Sequence, residues 1–173
     1  VPVTRGTTDW MENILKARQD GDAIWLGEND VRPMGREAAG GRGIKFREGD
    51  YVVGAGRAGG GTARLSVTEN GYGKRTELDE YLRGGDGERQ PQSRGGMGLK
   101  NYNCTEKTGF VADVKVVRED DDLLIVADDR TILRTAASGV PVLGRATQGV
   151  RIMRPNPGPQ LTSVAPTAPP DEE

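Results

Sequence analysis

Apolar and β-branched residues occur in short runs separated by paired turn residues. Ile14–Ala17 is followed by Ala23–Leu26, Leu65–Val67 lies ahead of Tyr72–Thr76, and Leu123–Ala127 precedes Ile132–Thr135. Between them stand Asp20-Gly21, Asn70-Gly71 and Asp128-Asp129. These signals predict three hairpins whose turns require a positive φ. The second and third hairpins superimpose, Leu65–Thr76 on Leu124–Thr135, at an offset of 59, and Ile14–Trp25 is a looser first copy. Trp10, Ile14 and Ala17 also have helical spacing within Asp9–Gln19, but the repeat makes Ile14–Ala17 a strand.

A second element follows each hairpin: Gly35–Ile44, then Ser93–Leu99, then Gly144–Ile152. Placing Gly40, Gly95 and Gly149 in register gives spacings of 55 and 54. Three repeats of short strands and glycine turns predict an all-β protein of about three stacked blades of four-stranded sheet, each burying its apolar face only against a neighbour. The expected units are blades at 9–61, 62–118 and 119–165. Residues 1–8 read as the end of a preceding blade or as disorder. Leu161–Ala165 reads as a closing strand, and 166–173, proline-rich and ending in three acids, as a disordered tail.

Glycine supplies 26 of 173 residues, about twice its usual share of about 7%, and the repeats account for much of the excess. With Cys104 as the single cysteine and no histidine, disulfide frameworks, zinc clusters and histidine-dependent triads are excluded. No apolar run reaches membrane-spanning length and no signal segment opens the chain, so a soluble cytoplasmic protein is expected. Val1 in place of Met suggests a processed chain or a fragment. The net charge of −2 becomes +1 without Asp171, Glu172 and Glu173.

Gly54-Ala55-Gly56-Arg57-Ala58-Gly59 after Tyr51-Val52-Val53 spells a dinucleotide fingerprint, with Glu77 at a suitable distance. That site needs a helix starting at its third glycine, whereas Ala63–Thr68 reads as a strand. The stretch Gly54–Gly61 is therefore expected to be a loop between blades. Glu119–Asp122 lacks the alternating spacing of a calcium loop and is expected to be a solvated turn.

The basic residues recur. Arg36, Arg42 and Lys45, then Arg94 and Lys100, then Arg145 and Arg151 occupy the same part of each repeat, while Lys74-Arg75 and Arg134 recur at the hairpin ends. Stacked blades would align them into a basic track suited to a phosphate backbone, with glycines admitting backbone amides close to the phosphates. The other reading of these residues is a scaffold for protein partners whose arginines bridge blades or solvate turns. Without a base-reading helix or an aromatic stripe, binding would be insensitive to sequence. No catalytic or metal-binding set is found, and Tyr51, Tyr72, Tyr81 and Tyr102 lie in repeat contexts.

Three segments, Asp30–Arg36, Val67–Thr76 and Gly144–Arg151, in the right order, resemble the C-terminal domain of DNA gyrase A over roughly Ile14–Ala165. The resemblance implies a pinwheel-like β-propeller of about six blades, of which this chain matches the last three. It implies wrapping of duplex DNA around a basic rim, an acidic tail, and partnership with the rest of gyrase A and with gyrase B in a heterotetramer. Strand passage, ATP and Mg2+ would belong to other parts of that assembly, and no cofactor is expected in this chain. The shorter equivalent domain of topoisomerase IV is the alternative within the family. The chain departs from the pattern in three places. The hallmark glutamine-arginine-glycine box of the family's first blade is absent, and Gln92–Gly98 resembles a degenerate blade copy of it, with Met97 uncharged. Trp25 stands where a basic residue is usual, and Gly84–Pro91 reads as an insertion.

Overall fold

Three hairpins with one shared turn geometry organise the chain. In the computed structural model, which describes residues 2–3, 14–27, 30–32, 34–57, 62–82, 90–154 and 158–168, the strands are β1 (Pro2–Val3), β2 (Ile14–Arg18), β3 (Asp22–Leu26), β4 (Gly41–Arg42), β5 (Val52–Arg57), β6 (Ala63–Thr68), β7 (Tyr72–Glu77), β8 (Leu99–Lys100), β9 (Val111–Val117), β10 (Asp122–Ala127), β11 (Ile132–Ala136), β12 (Val150–Arg151) and β13 (Leu161–Thr167). Sheet I has the order β5-β2-β3-β8, sheet II β12-β7-β6-β9 and sheet III β11-β10-β13, and β1 pairs with β4. Every strand pair within them is antiparallel.

Each hairpin turn is closed by one backbone bond, Gly21 N–H to Arg18, Gly71 N–H to Thr68 and Arg130 N–H to Ala127. The donor residue has positive φ in all three, +94°, +82° and +68°, a geometry that glycine meets without cost and arginine does not. The third turn is thus set one residue beyond Asp128-Asp129, at Arg130. Pairing with the third strand of each sheet also shifts at one repeated point, Ala17/Arg18, Val67/Thr68 and Val126/Ala127. The bulge and the turn identify the repeat independently of residue identity.

Sheets do not follow the contiguous segments strand for strand. The short fourth strand of sheet I, β8, comes from the element after the second sheet's hairpin, and that of sheet II, β12, from the element after the third. Sheet III has three described strands rather than the four expected of a blade.

Alternation sends Leu65 and Val67 of β6 toward sheet III, where they join Val117, Leu123, Ile125, Val140, Leu161 and Val164. Full burial of each such side chain contributes about 1.5–3 kcal/mol. Between sheets I and II the core is Leu15, Ala17, Ala23, Trp25, Tyr81, Tyr102, Val111 and Val114. Ile24, Leu26, Val31 and Ile44 close the far side of sheet I. On sheet III the positions equivalent to Leu65 and Val67, namely Leu124 and Val126, stay half-buried, and Ile132 is 62% exposed.

Two expectations change. Gly54 and Gly56 are not in a loop: they lie inside β5, where a Cβ on Gly54 would come within 2.6 Å of Val114 Cγ2 and 2.9 Å of the Val114 carbonyl oxygen. The apparent fingerprint is a strand with a glycine demanded by the close passage of β9, and β6 begins at Ala63, leaving no room for the helix a dinucleotide needs. The closing strand includes Pro166 and Thr167, two residues expected in the tail, and 169–173 lie outside the described residues. So do most of 1–8 and 83–89, the larger part of the expected insertion. Arg118–Asp121 forms a turn closed by Asp121 N–H to Arg118 O and by Arg118 N–H to the Asp121 carboxylate.

The seam between sheets I and II holds an unusual group. Arg64 on β6 is fully buried, none of its guanidinium nitrogens has a hydrogen-bond acceptor among the described residues, and its main support is the Tyr81 ring, 5.1 Å away. Burial lowers its pKa. The contact with the ring is worth about 2 kcal/mol when desolvated, less than the several kcal/mol that burying an unpaired cation costs. The register places Leu123 at the equivalent position of sheet III. Arg64→Leu should therefore leave the thermal midpoint unchanged or raise it. A fall of more than about 4 °C, roughly 1 kcal/mol or more for a chain of this size, would contradict this account.

Candidate nucleic-acid interface

The candidate site is built from the three elements that follow the hairpins, here called boxes. Their frame is Arg36, Gly40, Arg42, then Arg94, Gly98, Lys100, then Arg145, Gly149, Arg151, with identical internal spacing. Gly98, not Gly95, is the counterpart of Gly40 and Gly149. Gly40, Gly98 and Gly149 each precede a two-residue strand and have φ of +77°, +91° and +69°. A Cβ would lie 2.6 Å from the Ala23 carbonyl oxygen at Gly98, and 2.6 Å from that of Gly73 at Gly149. Gly95 also has positive φ, but its Cβ would have no neighbour nearer than 3.8 Å.

This register puts Arg42, Lys100 and Arg151 at one position, paired across the strand with Pro2, Asp22 and Tyr72. All three basic residues are exposed. Successive boxes are joined by the same bond, Lys45 N–H to Gly96 O at 3.0 Å and Asn103 N–H to Thr147 O at 3.1 Å. The basic positions consequently form a row along linked boxes. Arg36 and Lys45 are exposed beside it.

Arg94 and Arg145 share a different role. An Arg94 nitrogen occupies the space a Cβ on Gly41 would take, and Arg145 Nη1 donates to the Lys100 carbonyl at 3.2 Å. Each reaches back onto the strand of the preceding box. Arg145 is further held by Glu80, whose carboxylate accepts its backbone N–H at 3.1 Å and lies 3.9 Å from Nε. Part of its charge is thereby offset within the chain.

Lys74, Arg75 and Arg134 are not on this row. Lys74 is fully buried, its ammonium donating to the carbonyls of Gly144 and Arg145 at 2.6 Å each and to Thr147 Oγ1 at 3.1 Å, 5.1 Å from the Tyr102 ring centroid. Burial lowers its pKa to about 7. The neutral amine keeps the two N–H groups that the two carbonyls need. Arg75 is buried and donates Nε–H to the Val140 carbonyl at 2.7 Å. These two residues hold the third box and its approach in place from beneath. Arg134 pairs with Asp122 at 2.7 Å on the outer face of sheet III. Trp25 occupies the position of Arg75 in sheet I, paired with Leu15 as Arg75 is with Leu65. This is the usually basic position that the family resemblance implies, one residue off the register of Ile14–Trp25 on Leu65–Thr76. The Trp25 indole N–H has no acceptor among the described residues.

Tyr72 is a member of the site that residue type alone did not reveal. Its hydroxyl accepts from Arg151 Nη2 at 2.9 Å, and the Arg151 guanidinium lies 5.0 Å from the ring centroid. That hydrogen bond lowers the tyrosine pKa. Only the pairing of β12 with β7, two residues contributed from distant parts of the chain, brings them together.

A cleft of about 350 Å³ lined by Glu69, Asn70, Cys104, Glu106, Phe110 and Gln160 carries two carboxylates and does not suit a phosphate. Burial pushes the Cys104 thiol up to about 11, so it is a poor nucleophile at neutral pH. Among the described residues no group of three or more His, Cys, Asp or Glu side chains is arranged to hold a metal ion, and no helix is long and apolar enough to cross a membrane.

A protein family described as the DNA gyrase C-terminal domain, beta-propeller, matches residues 20–58, 65–87, 90–118 and 121–167. DNA gyrase A of Staphylococcus epidermidis is 38% identical over 156 residues, 89% of this chain, and that of Staphylococcus aureus 38% over 160 residues, 91% of this chain. The chain spans 17% of the length of either relative. Among solved structures, a DNA gyrase A C-terminal domain superimposes with a TM-score of 0.79 at 30% identity, over 90% of this chain and 50% of that one. The C-terminal domain of a DNA topoisomerase IV superimposes with a TM-score of 0.81 at 20% identity, over 93% of this chain and 48% of that one, a likeness of fold.

Proposed function

The chain belongs to the family of DNA gyrase C-terminal β-propeller domains, and from that premise we propose that it binds and bends duplex DNA along the row of its three boxes. The observation that carries this reading is the equivalence of Arg42, Lys100 and Arg151, exposed at one position of boxes joined to one another by backbone bonds. Charges repeated at one position of linked boxes engage successive phosphates of a bent duplex without reading its bases. In this reading the chain supplies DNA wrapping to a type IIA topoisomerase of the bacterial cytoplasm, made with the rest of gyrase A and with gyrase B. Strand cleavage, ATP hydrolysis and Mg2+ belong to those other parts. The greater sequence likeness to the gyrase A domain than to the topoisomerase IV domain, 30% against 20%, favours gyrase.

Salt titration of duplex binding tests the proposal. The logarithm of affinity should fall linearly with that of salt, with a slope of about −0.9 for each phosphate neutralised, and equally for unrelated sequences. Binding that ignores salt, or that is confined to one sequence, would favour a protein-binding scaffold instead.

A further inference from the structure

We propose that Lys107, outside all three boxes, joins Arg151 across the ring of Tyr72 to form an additional phosphate-binding pair at the third box. The inference rests on the reading of the box row as a DNA-binding surface and adds to it a contact that the repeat does not encode. Lys107 Nζ lies 5.5 Å from the Tyr72 ring centroid and Arg151 Cζ 5.0 Å from it. Both cations are thus held against the same ring, close enough for a single DNA backbone to pass near both. Neither has an ion pair with a described carboxylate. Two like charges on one aromatic ring repel, and an anion that bridges them turns that repulsion into attraction.

The loop that presents Lys107 is built in place before any ligand arrives. Asn70 Nδ2 donates to the carbonyls of both Glu106 and Lys107 at 3.2 Å each. Thr105 N–H donates to Thr108 Oγ1 at 2.9 Å, and the Glu69 carboxylate accepts the Phe110 N–H at 3.0 Å. Gly109 closes the loop with φ +70°, where a Cβ would meet Glu69 at 3.0 Å. Glu69 is held by that backbone bond, and Glu106 is the nearest exposed acid along the chain. A preformed site avoids much of the ordering entropy a lysine otherwise loses on binding.

The pair is particular to this box. Tyr72 is the cross-strand partner of Arg151, whereas Lys100 faces Asp22 and Arg42 faces Pro2 at the same position. Among the described residues, only the third box has an aromatic ring as the cross-strand partner of its basic residue.

The experiment is duplex binding by the whole chain over a salt series with wild type, Lys107→Gln, Lys107→Arg and Arg42→Ala. Lys107→Gln should bind about fivefold more weakly at 0.15 M salt, with a log–log slope shallower by about 0.9, the loss of one phosphate contact. Lys107→Arg should restore both, and the thermal midpoint should not move because Lys107 is exposed. If Lys107→Gln keeps wild-type affinity and slope while Arg42→Ala weakens binding, the pair is wrong and the box row stands. If neither change matters, or wild type binds without salt dependence, the DNA-binding reading fails and this inference with it.

Discussion

Gly149→Ala should lower the thermal midpoint by roughly 4–8 °C, the shift expected of about 2 kcal/mol in a chain of this size. Two costs combine. An L-residue at φ +69° is disfavoured by about 1–2 kcal/mol, and the new methyl group would lie 2.6 Å from the Gly73 carbonyl oxygen and 2.5 Å from the Tyr102 hydroxyl oxygen. Neither neighbour is free to retreat, because Gly73 is inside β7 and the Tyr102 hydroxyl donates to the Gln148 carbonyl at 2.6 Å. The strain falls where β12 joins sheet II, so amide exchange should accelerate first at Ile152 and Met153, whose N–H groups bond Gly71. Gly98→Ala should behave alike, with its methyl group 2.6 Å from the Ala23 carbonyl oxygen. Gly95→Ala should cost no more than the backbone term, since its methyl group meets no neighbour nearer than 3.8 Å. Equal losses at Gly95 and Gly98 would disprove the register proposed for the boxes.

Changing Arg42, Lys100 and Arg151 together to alanine should weaken duplex binding by roughly 150-fold at 0.15 M salt and make the salt dependence shallower by about 2.7 in slope, if each holds one phosphate. The loss should be the same for every sequence, because contacts to phosphate carry no base information. Thermal stability should change little, since all three side chains are exposed. Arg134→Ala provides the contrast. That residue is paired with Asp122 on the outer face of sheet III, away from the boxes, and its loss should leave binding within about twofold. A triple variant that binds as wild type does would remove the box row from consideration.

The repeat was legible because its signals are local. A positive φ at the fourth residue of a turn selects glycine wherever it can, which is why Gly21 and Gly71 announce their hairpins and why Arg130, at the same place, is found only by the offset of 59. The box frame was half legible. Arginine and glycine recur with constant spacing, but a second glycine three residues before Gly98 offers an equally good match, and only the contact with Ala23 decides between them. The stretch at Gly54 suggests a loop for a related reason, since a glycine needed for close packing between strands has the same letter as one that makes a turn.

Burial was not legible. Arg75 and Arg134 are equivalent in the chain, yet one is buried and the other exposed, because sheet II has a neighbour on each face and sheet III has only one among the described residues. Charge type along a strand does not say which face will be covered.

By itself the sequence determined the all-β class, the number of hairpins, the period and the presence of a basic residue in every box, since each depends on turn geometry and alternation within a few residues. The tertiary structure alone decided which cations face solvent, that the strands of the second and third boxes complete the preceding sheets, and that Arg151 and Lys107 meet on the ring of Tyr72. Those outcomes depend on which distant strands pair and in what register, and a shift of a single residue would turn every side chain to the opposite face.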